Sequence, residues 1–587
     1  MKEKFNTLFM TALPSQGKRA LLLITLAAFP VLLLYLGQSE LLGNEGDWAY
    51  CARLMSGKGV FNSYWQPESN HTIIYARLIK ELGRIFPLSE WLIRLPSVLA
   101  ALAALAGTIL LSLEIFERKN AVLAGWLMLG SYGFLYWGRN GNNPMFAAAA
   151  TVWSAALFYG RQRRKSSPFR SGFDFFVILF ATWLLCGYTA VAGIILLLLP
   201  QWYDMFKKRQ YSVRGSLQAA GAFFCALVLI ITVLYIVVYS DKPSLRWDGS
   251  LLRMWKFCCR MSVNSFRELI APYGHSLPET LLNLPRLLLP WSLLIPAVAV
   301  GLWKKRSALP GDLKKLLLGM LLYFIFIGIF PCRRWGALLP LLGPAVIVMS
   351  AGLSARYHDP EFERKNEIVI RGVFIIIAAL FAALFCTWPL WESLLRVEAP
   401  RMLMLLSRLV GGATLLLLTF CITPGTPLEK IMKRPSPLAG TILAGVILSV
   451  LVNCVLFPQM NRFRTGRKFW QSCGMAIEQC DPAPELVIFY RCGLSPRGLY
   501  YLNLKQPFTA VKTLQEADEV LRSCGGKAVI ISRNTPEIIA ELRELATRNR
   551  KRFSPETSLA AEEVSVAFVK SDSRSLEKNY TAWLFEL

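Results

Sequence analysis

The chain has 587 residues, of which 54% are hydrophobic and 18% are charged, and its mean hydropathy is +0.42. A soluble protein is about 45–50% apolar with about a quarter of its residues charged, so the composition excludes an ordinary soluble enzyme and indicates a polytopic membrane protein. The net charge of +27 does not indicate nucleic acid, because Lys and Arg lie in short clusters between apolar segments. The predicted partners are therefore membrane lipids and no nucleic acid.

Apolar segments long enough to cross the roughly 30 Å hydrocarbon layer recur along the first 457 residues. The first has no cleavage site behind it and is predicted to be retained. The basic clusters fall on one side if the N-terminus is cytoplasmic, which puts the C-terminal tail outside. Thirteen transmembrane helices are predicted, at about 20–41, 92–113, 121–137, 144–160, 173–187, 190–205, 217–240, 283–303, 316–331, 337–354, 371–390, 403–422 and 438–456.

Two segments on the predicted outer side are too long to be simple connections. The first, 42–91, is predicted to form two short amphipathic helices that lie in the interface plane. The second, 241–282, is rich in Arg and aromatic residues. The apolar positions of the second amphipathic helix recur at helical spacing and are Ile73, Ile74, Leu78, Ile79, Leu82 and Ile85.

A change of composition near residue 458 predicts a soluble α/β domain over 458–587, with short β-branched runs alternating with amphipathic helices. Its cysteines could form one or two disulfides in an oxidising compartment. No CxxC pair or Cys/His spacing supports a zinc site. The four cysteines are Cys473, Cys480, Cys492 and Cys524.

The stretch 43-GNEGDWAYCARLM-55, at the start of the first outer segment, carries the polar residues that we single out first. A helix beginning near Asn44 puts Asp47, Trp48 and Cys51 on the same face as Asn44, with Glu45 on the neighbouring face. Polar groups at the mouth of a membrane bundle tend to mark a functional site. The alternative is that Asn44 caps the helix while Glu45 and Asp47 favour its positive end.

This stretch resembles the first outer loop of the GT-C superfamily of polyprenyl-phosphate-dependent glycosyltransferases, nearest the aminoarabinose (lipid A) transferase and protein O-mannosyltransferase branch. That branch has Asp-Glu, then an aromatic residue and Ala, and then Ala-Arg-x-Met. Asn44 stands at the position of the usual Asp. The matching residues are Glu45, Ala49, Ala52, Arg53 and Met55.

The resemblance extends along nearly the whole chain. His71 in 70-NHTIIYARLIKELG-83 matches a family His-Pro or Lys-Pro position without the proline, and 94-RLPS-97 matches the start of the second span. The runs 264-NSFRELIAPYGHSLP-278 with Pro290-Trp291, 331-PCRRWGALLPLLGP-344 and 490-YRCGLSPRGLYYL-502 resemble later family motifs. The resemblance implies a GT-C-like transmembrane domain over 1–457. From its position alone, the C-terminal α/β domain is expected to cover the outer cavity or to shape acceptor choice.

Two further positions depart from the family pattern. The second acidic position of the family, four residues after Arg139, is Asn143, and the Lys-Gly of the fifth span is Cys186-Gly187. Asparagine does not titrate near neutrality, so neither Asn44 nor Asn143 can be a general base, although either could orient a hydroxyl. The hypothesis from the sequence is that Asp47, together with Glu45, replaces the usual Asp.

Basic residues at family-matching positions are expected to hold the donor phosphate, because the planar guanidinium of Arg can bind two phosphate oxygens. The alternative for each Arg is an interfacial side chain that snorkels to the surface. A divalent metal is left open, since Arg alone could neutralise the lipid phosphate. The expected donor-phosphate residues are Arg267, His275, Arg333, Arg334, His71 and Arg139.

The resemblance implies an inverting glycosyltransferase that moves a sugar from an undecaprenyl-phosphate-type carrier to lipid A, another lipid, a glycan or a protein. It further implies a bacterial inner-membrane protein with its active site and C-terminal domain on the periplasmic side. The first alternative is a catalytically silent relative that binds polyprenyl phosphate or a glycolipid. The second is a membrane transporter. The oligomeric state is left open.

Overall fold

The structure is a computed structural model of the chain. Most of the predicted spans at 217–240, 371–390 and 403–422 and most of the segment 241–282 lie outside the described residues. The residues described are 15–37, 39–42, 44–56, 70–116, 118–163, 168–207, 221, 277–304, 306–307, 309–329, 335–354, 372–373, 375–377, 379–380, 412, 437–456, 458, 467–479, 483–491, 496–524, 528–533, 536–553, 567–570 and 580–585.

The part of the chain before residue 457 is helical where it is described. Short 3-10 turns at Trp291–Leu294 and Trp335–Leu341 and a π turn at Leu451–Leu456 interrupt or extend the α-helices. The α-helices are α1 Ser15–Leu33, α2 Glu45–Met55, α3 Asn70–Leu82, α4 Glu90–Ile115, α5 Arg118–Leu129, α6 Tyr132–Arg139, α7 Pro144–Arg163, α8 Pro168–Cys186, α9 Tyr188–Lys207, α10 Leu277–Leu288, α11 Ile295–Lys304, α12 Gly311–Ile329, α13 Leu342–Ser354 and α14 Pro437–Val450.

The C-terminal part mixes helices with a five-stranded sheet, as the sequence predicts. Its elements are α15 Arg467–Gln479, β1 Leu486–Tyr490, α16 Pro496–Leu502, β2 Phe508–Val511, α17 Leu514–Ser523, β3 Ala528–Arg533, α18 Pro536–Phe553, β4 Ala567–Lys570 and β5 Tyr580–Phe585.

The chain divides into two compact units that do not follow the order of the sequence. The helical unit comprises Met1–Leu36 and Arg94–Phe457. The α/β unit comprises Gly37–Ile93 and Pro458–Leu587. The first outer segment, which the sequence analysis groups with the transmembrane domain, is thus packed together with the C-terminal segment in one unit.

The helical unit has the composition of a membrane bundle. Each of the ten predicted spans that fall on described residues overlaps a helix, and large apolar side chains such as Leu23, Leu321 and Ile329 are exposed on helix surfaces, as lipid-facing residues are. Within the described ranges, Glu90–Ile115 and Gly336–Ser354 are each long and apolar enough to cross a membrane, and a bent pair makes up to three such spans. The count of thirteen stays a prediction.

The bent pair lies at the predicted span 283–303. The helices Leu282–Leu288 and Trp291–Trp303 meet at an angle of 106°. Pro290 has no N–H to donate at this point, so a continuous helix would lose a hydrogen bond. Trp291 is fully buried and its Nε1 donates to the carbonyl of Leu127 at 2.6 Å, which ties the bend to the end of α5.

The α/β unit is built on a mixed sheet with strand order β2-β1-β3-β5-β4. Strand β1 pairs in parallel with β2 and β3, and β5 pairs antiparallel with β3 and β4. The central strands are almost entirely buried, as parallel strands covered by helices on both faces are. Helix α17 begins with a capping box in which the Thr513 hydroxyl accepts from the Glu516 N–H.

The two helices predicted in the first outer segment are present as α2 and α3, but the buried face of α3 differs from the predicted one. Leu78 is 38% exposed and Ile85 is 75% exposed. Ile79 of the predicted apolar face is fully buried, and so is Tyr75, which lies outside that face. Tyr75 accounts for the orientation of α3. Its ring packs against Trp48 with ring centroids 5.0 Å apart, and its hydroxyl donates to the carbonyl of Ile93 at 3.0 Å.

The cysteines of the C-terminal segment are reduced where they are described. Cys473 is a buried free thiol and Cys524 is a partly buried free thiol. Cys480 and Cys492 lie outside the described residues. The disulfides considered from the sequence therefore do not involve Cys473 or Cys524 in this structure.

The close packing of Gly445 against the Trp291 ring gives a test of the bend. A Cβ at Gly445 would lie 2.5 Å and 2.6 Å from two carbons of the Trp291 ring. We expect Gly445→Ala to destabilise the detergent-solubilised protein by about 1–3 kcal/mol through overpacking, measured as a lower thermal unfolding midpoint. Gly311→Ala is the matched control, since a Cβ there meets nothing within 4 Å. Equal midpoints for the two variants would contradict the tight packing of Trp291.

Candidate functional site

Helix α2 carries three of the predicted catalytic residues at its beginning. Asn44 occupies the N-cap position with φ −74° and ψ −7°, and its side chain makes no capping hydrogen bond. Its main-chain carbonyl accepts from the Trp48 N–H at 3.1 Å. The alternative in which the Asn44 side chain serves as a helix cap is therefore not what the structure has.

Glu45 has a structural contact that removes it from solvent. The residue is 0% exposed, and its Oε2 accepts from the main-chain N–H of Leu42 at 2.7 Å. A carboxylate that accepts a backbone N–H forms a charge-assisted hydrogen bond and fixes the turn that leads into α2. Glu45 is thus positioned to hold the start of the helix rather than to meet an acceptor.

Asp47 lies one residue beyond the buried pair Glu45 and Gly46 and keeps part of its surface exposed. Its charge reaches the buried Cys51 thiol on the next turn. Burial, together with a smaller contribution from the nearby Asp47 carboxylate, raises the pKa of that thiol to about 12. Of the two carboxylates on α2, Asp47 is therefore the more exposed.

The residues of α2 from Trp48 to Ala52 are buried, and Tyr50 and Arg53 interact with each other electrostatically. Burial raises the pKa of Tyr50 to about 12, against the opposing effect of the Arg53 charge. Burial lowers the pKa of Arg53, while the nearby Tyr500 and Tyr50 rings oppose that shift. The Nε1 of Trp48 is buried without a hydrogen-bond partner among the described residues, so it is a donor that a bound ligand could use.

The helix after α2 carries His71. This residue lies in the first turn of α3, which packs against α2. The predicted phosphate-binding residue is thus on the neighbouring helix to Asn44 and Asp47, within the α/β unit.

Arg139 belongs to the helical unit and contacts the end of α1. It is 7% exposed, and its Nη1 donates to the carbonyls of Val31 at 2.9 Å and Leu32 at 3.0 Å. Arg94, fully buried, donates to the carbonyl of Leu36 at 2.6 Å just beyond the same helix. A cation at a helix C-terminus satisfies the last carbonyls and complements the helix dipole. The role of Arg139 in phosphate binding stays a prediction.

Asn143 contacts the break between α8 and α9. Its Nδ2 donates to the carbonyl of Leu185 at 2.6 Å, and the thiol of Cys186 donates to the Asn143 main-chain carbonyl at 3.3 Å. Gly187, with φ 78°, lets the chain turn between the two helices. The positions that resemble the family's Asp and Lys therefore lie against each other here as a neutral pair.

The remaining predicted phosphate-binding residues, Arg267, His275, Arg333 and Arg334, lie outside the described residues. Over the residues that the structure does describe, no group of three His, Cys, Asp or Glu side chains is placed to hold a metal ion.

Sequence reasoning missed the contacts that α16 makes with α2. Arg53 donates to the main-chain carbonyl of Tyr500, and its guanidinium carbon lies 4.4 Å from the centre of the Tyr500 ring. Gly46 packs directly on Arg497. The signals in the sequence are Arg53, which matches the family motif, and the run 496-PRGLYYL-502.

The chain thus has a helical unit and an α/β unit that carries the acidic helix α2, and solved structures share this fold. Two crystal structures of ArnT from Cupriavidus metallidurans match, each at 15% identity over 97% of this chain and 98% of that chain. The TM-score is 0.63 for the apo state and 0.64 for the state bound to undecaprenyl phosphate. ArnT is an aminoarabinose transferase and a GT-C enzyme, so the predicted GT-C fold is confirmed.

A crystal structure of the oligosaccharyltransferase from Archaeoglobus fulgidus also matches, with a TM-score of 0.42 and 12% identity over 90% of this chain and 71% of that chain. No protein-family model and no curated protein sequence matches the chain.

The neutral pair at the α8–α9 break gives a second test. We expect Asn143→Asp to lower stability by about 1–3 kcal/mol or more, because a carboxylate would face the Leu185 carbonyl that now receives a hydrogen bond. Adding Cys186→Lys should recover part of the loss by supplying an opposite charge beside residue 143. The measurement is the thermal unfolding midpoint in detergent.

Asn143→Ala is the control for this pair, since it removes the hydrogen bond without adding charge. We expect its midpoint to lie between those of the wild type and Asn143→Asp. A double variant no more stable than Asn143→Asp alone would show that residues 143 and 186 do not couple.

Proposed function

We propose that this protein is an inverting glycosyltransferase that moves a sugar from a polyprenyl-phosphate carrier to an acceptor at the outer face of the bacterial inner membrane. The observation that carries the proposal is the likeness to ArnT bound to undecaprenyl phosphate, which extends over 97% of this chain with a TM-score of 0.64. A likeness of this extent includes both the bundle and the outer unit. The acceptor in this proposal is a lipid such as lipid A, another glycan or a protein.

The proposed reaction needs a base for the acceptor and a cationic site for the leaving group. The acceptor hydroxyl oxygen attacks the anomeric carbon, the bond from that carbon to the phosphate oxygen breaks, and the acceptor proton passes to a carboxylate. The departing lipid phosphate keeps the electron pair and must be stabilised by nearby donors.

Asp47 is the proposed base. It is the carboxylate on α2 that keeps an exposed surface, whereas Glu45 is fully buried and bonded to Leu42. Asn44, one turn before Trp48 and without a capping bond, is proposed to orient an acceptor or sugar hydroxyl. Asn143 is proposed to act indirectly, by holding the α8–α9 break through Leu185.

The proposed cationic site consists of residues that match family positions. Arg267 and His275 of the second outer segment and Arg333 and Arg334 before the Trp335–Leu341 turn are proposed to bind the donor phosphate, with His71 beside α2. The guanidinium fork binds two phosphate oxygens at once, which suits a phosphate whose charge grows as the sugar leaves.

The catalytic proposal is tested by comparing two carboxylates that lie two residues apart. We expect Asp47→Asn to lower the rate of sugar transfer between about 10²- and 10⁴-fold, because the base is lost. Its thermal midpoint should fall by less than that of Glu45→Gln, since Asp47 is the more exposed of the two. We expect Glu45→Gln to lower the free energy of unfolding by about 1–3 kcal/mol, because the charge-assisted bond to Leu42 is weakened. This loss should appear as a lower thermal midpoint. The assay uses radiolabelled undecaprenyl-phosphate sugars and lipid A in nanodiscs.

Transfer by Asp47→Asn at the wild-type rate would contradict the assignment of the base. Binding of undecaprenyl phosphate by the wild type without any transfer would favour the silent relative. In the same nanodiscs, Arg267→Ala should weaken binding of undecaprenyl phosphate by about tenfold or more, as expected for loss of a charge-assisted contact. No binding by the wild type would leave the transporter as the better proposal.

A further inference from the structure

Helix α16 makes contacts with three parts of the chain around α2: the segment that leads into α2, the first turn of α2 and the last turn of α2. In the segment that leads into α2, both main-chain groups of Leu41 form hydrogen bonds with α16. The Leu41 N–H donates to the Tyr501 hydroxyl at 2.9 Å, and the Leu41 carbonyl accepts from Arg497 Nη1 at 3.3 Å. The segment that leads into α2 is therefore fixed before the helix begins.

The first turn of α2 touches the backbone of α16. A Cβ at Gly46 would lie 2.5 Å from the Arg497 Cβ, 2.8 Å from its Cα and 2.9 Å from its main-chain nitrogen. Real Cβ atoms do not approach other atoms this closely, and two of the three neighbours are main-chain atoms that cannot rotate away. Any side chain at position 46 would separate the two helices, and Asp47 is the next residue along α2.

The last turn of α2 is held by Arg53. Its guanidinium donates to the Tyr500 carbonyl and lies over the face of the Tyr500 ring. A hydrogen bond from a charged donor and a cation–π contact act here on the same residue, in a partly buried place where each is stronger than in water.

Helix α16 is itself held from its other side. A Cβ at Gly474 of α15 would lie 2.3 Å from the Leu502 carbonyl oxygen, so α15 and α16 are in backbone contact. Arg467 of α15 pairs with Glu90 at 3.0 Å and lies 5.5 Å from the centre of the Tyr501 ring. The stack of α2, α16 and α15 has no room for one helix to slide against the next.

We propose that α16 of the C-terminal segment is the positioning element of the reaction, with Gly46 and Arg53 as the positioning residues through which it holds α2 and Asp47. This inference rests on the proposed function, since it takes Asp47 as the base. A displacement of about 1 Å at a reacting group costs as much as about 10²-fold in rate. The C-terminal segment is then part of the reaction centre, not a cover over it.

The test uses the full-length protein in nanodiscs with radiolabelled undecaprenyl-phosphate sugars. We expect Gly46→Ala and Arg53→Ala to lower kcat by about tenfold to a hundredfold, with KM for the donor and binding of undecaprenyl phosphate within about twofold of wild type. Tyr500→Ala retains the main-chain carbonyl and loses the cation–π contact, so we expect a smaller fall in kcat in the same direction. Tyr500→Phe is the matched control, because it retains the ring and the main-chain carbonyl, and we expect wild-type kcat.

Hydrogen exchange separates this inference from the proposed function. Exchange of residues 41–55 should become faster in Arg53→Ala and Tyr500→Ala and should stay at the wild-type rate in Tyr500→Phe. Exchange unchanged in both alanine variants would overturn the inference whether or not the wild type transfers sugar. Wild-type kcat in Gly46→Ala and Arg53→Ala would also overturn it. If the wild type transfers no sugar but exchange is faster in the alanine variants, the proposed function would be rejected. The conclusion that α16 holds α2 in place would stand.

Discussion

The organisation of the helical unit depends on satisfying the main-chain carbonyls that each helix break leaves unpaired. Lipid offers no hydrogen-bond donors, so a carbonyl freed inside a membrane bundle needs a donor from the protein. In this chain the donors are buried side chains from distant segments, and each one joins a break to a neighbouring helix. The pairs are Arg94 with Leu36, Arg139 with Val31 and Leu32, Trp291 with Leu127, Asn143 with Leu185 and Tyr323 with Ala337.

The need to satisfy main-chain groups at helix ends also accounts for several residues of the candidate site. Arg139 and Asn143 stand where the family resemblance suggests reaction chemistry, and both are bonded to carbonyls at helix ends. Glu45 is bonded to the turn before α2. Asp47 is half-buried and lies on a helix that packs against both α3 and α16. A rigid support under an accessible carboxylate is what general-base chemistry requires.

The helices could be predicted from the sequence because apolar length and helical spacing are local signals. The GT-C fold could be predicted only through the resemblance of motifs such as 43-GNEGDWAYCARLM-55 to that family. The bend at Pro290 could not, since a proline inside an apolar run fits a kinked span as well as a broken one. The burial of Glu45 and the orientation of α3 also escaped prediction, because they depend on Leu42 and Tyr75 finding partners in the folded unit. The contact between Arg53 and Tyr500 joins residues 447 positions apart, which no window of sequence can connect.

That separation along the chain has a consequence for how the protein is made. Leu41 is bonded to Tyr501 across 460 positions, so the α/β unit closes a loop that contains nearly the whole helical unit. At about 5–20 residues per second of synthesis, the partner of Leu41 is made roughly half a minute to a minute and a half after it. Helix α2 cannot reach its supported position during that time. A chain released before α16 is complete therefore has its helical unit but lacks the contacts that α16 makes with α2 and with Leu41.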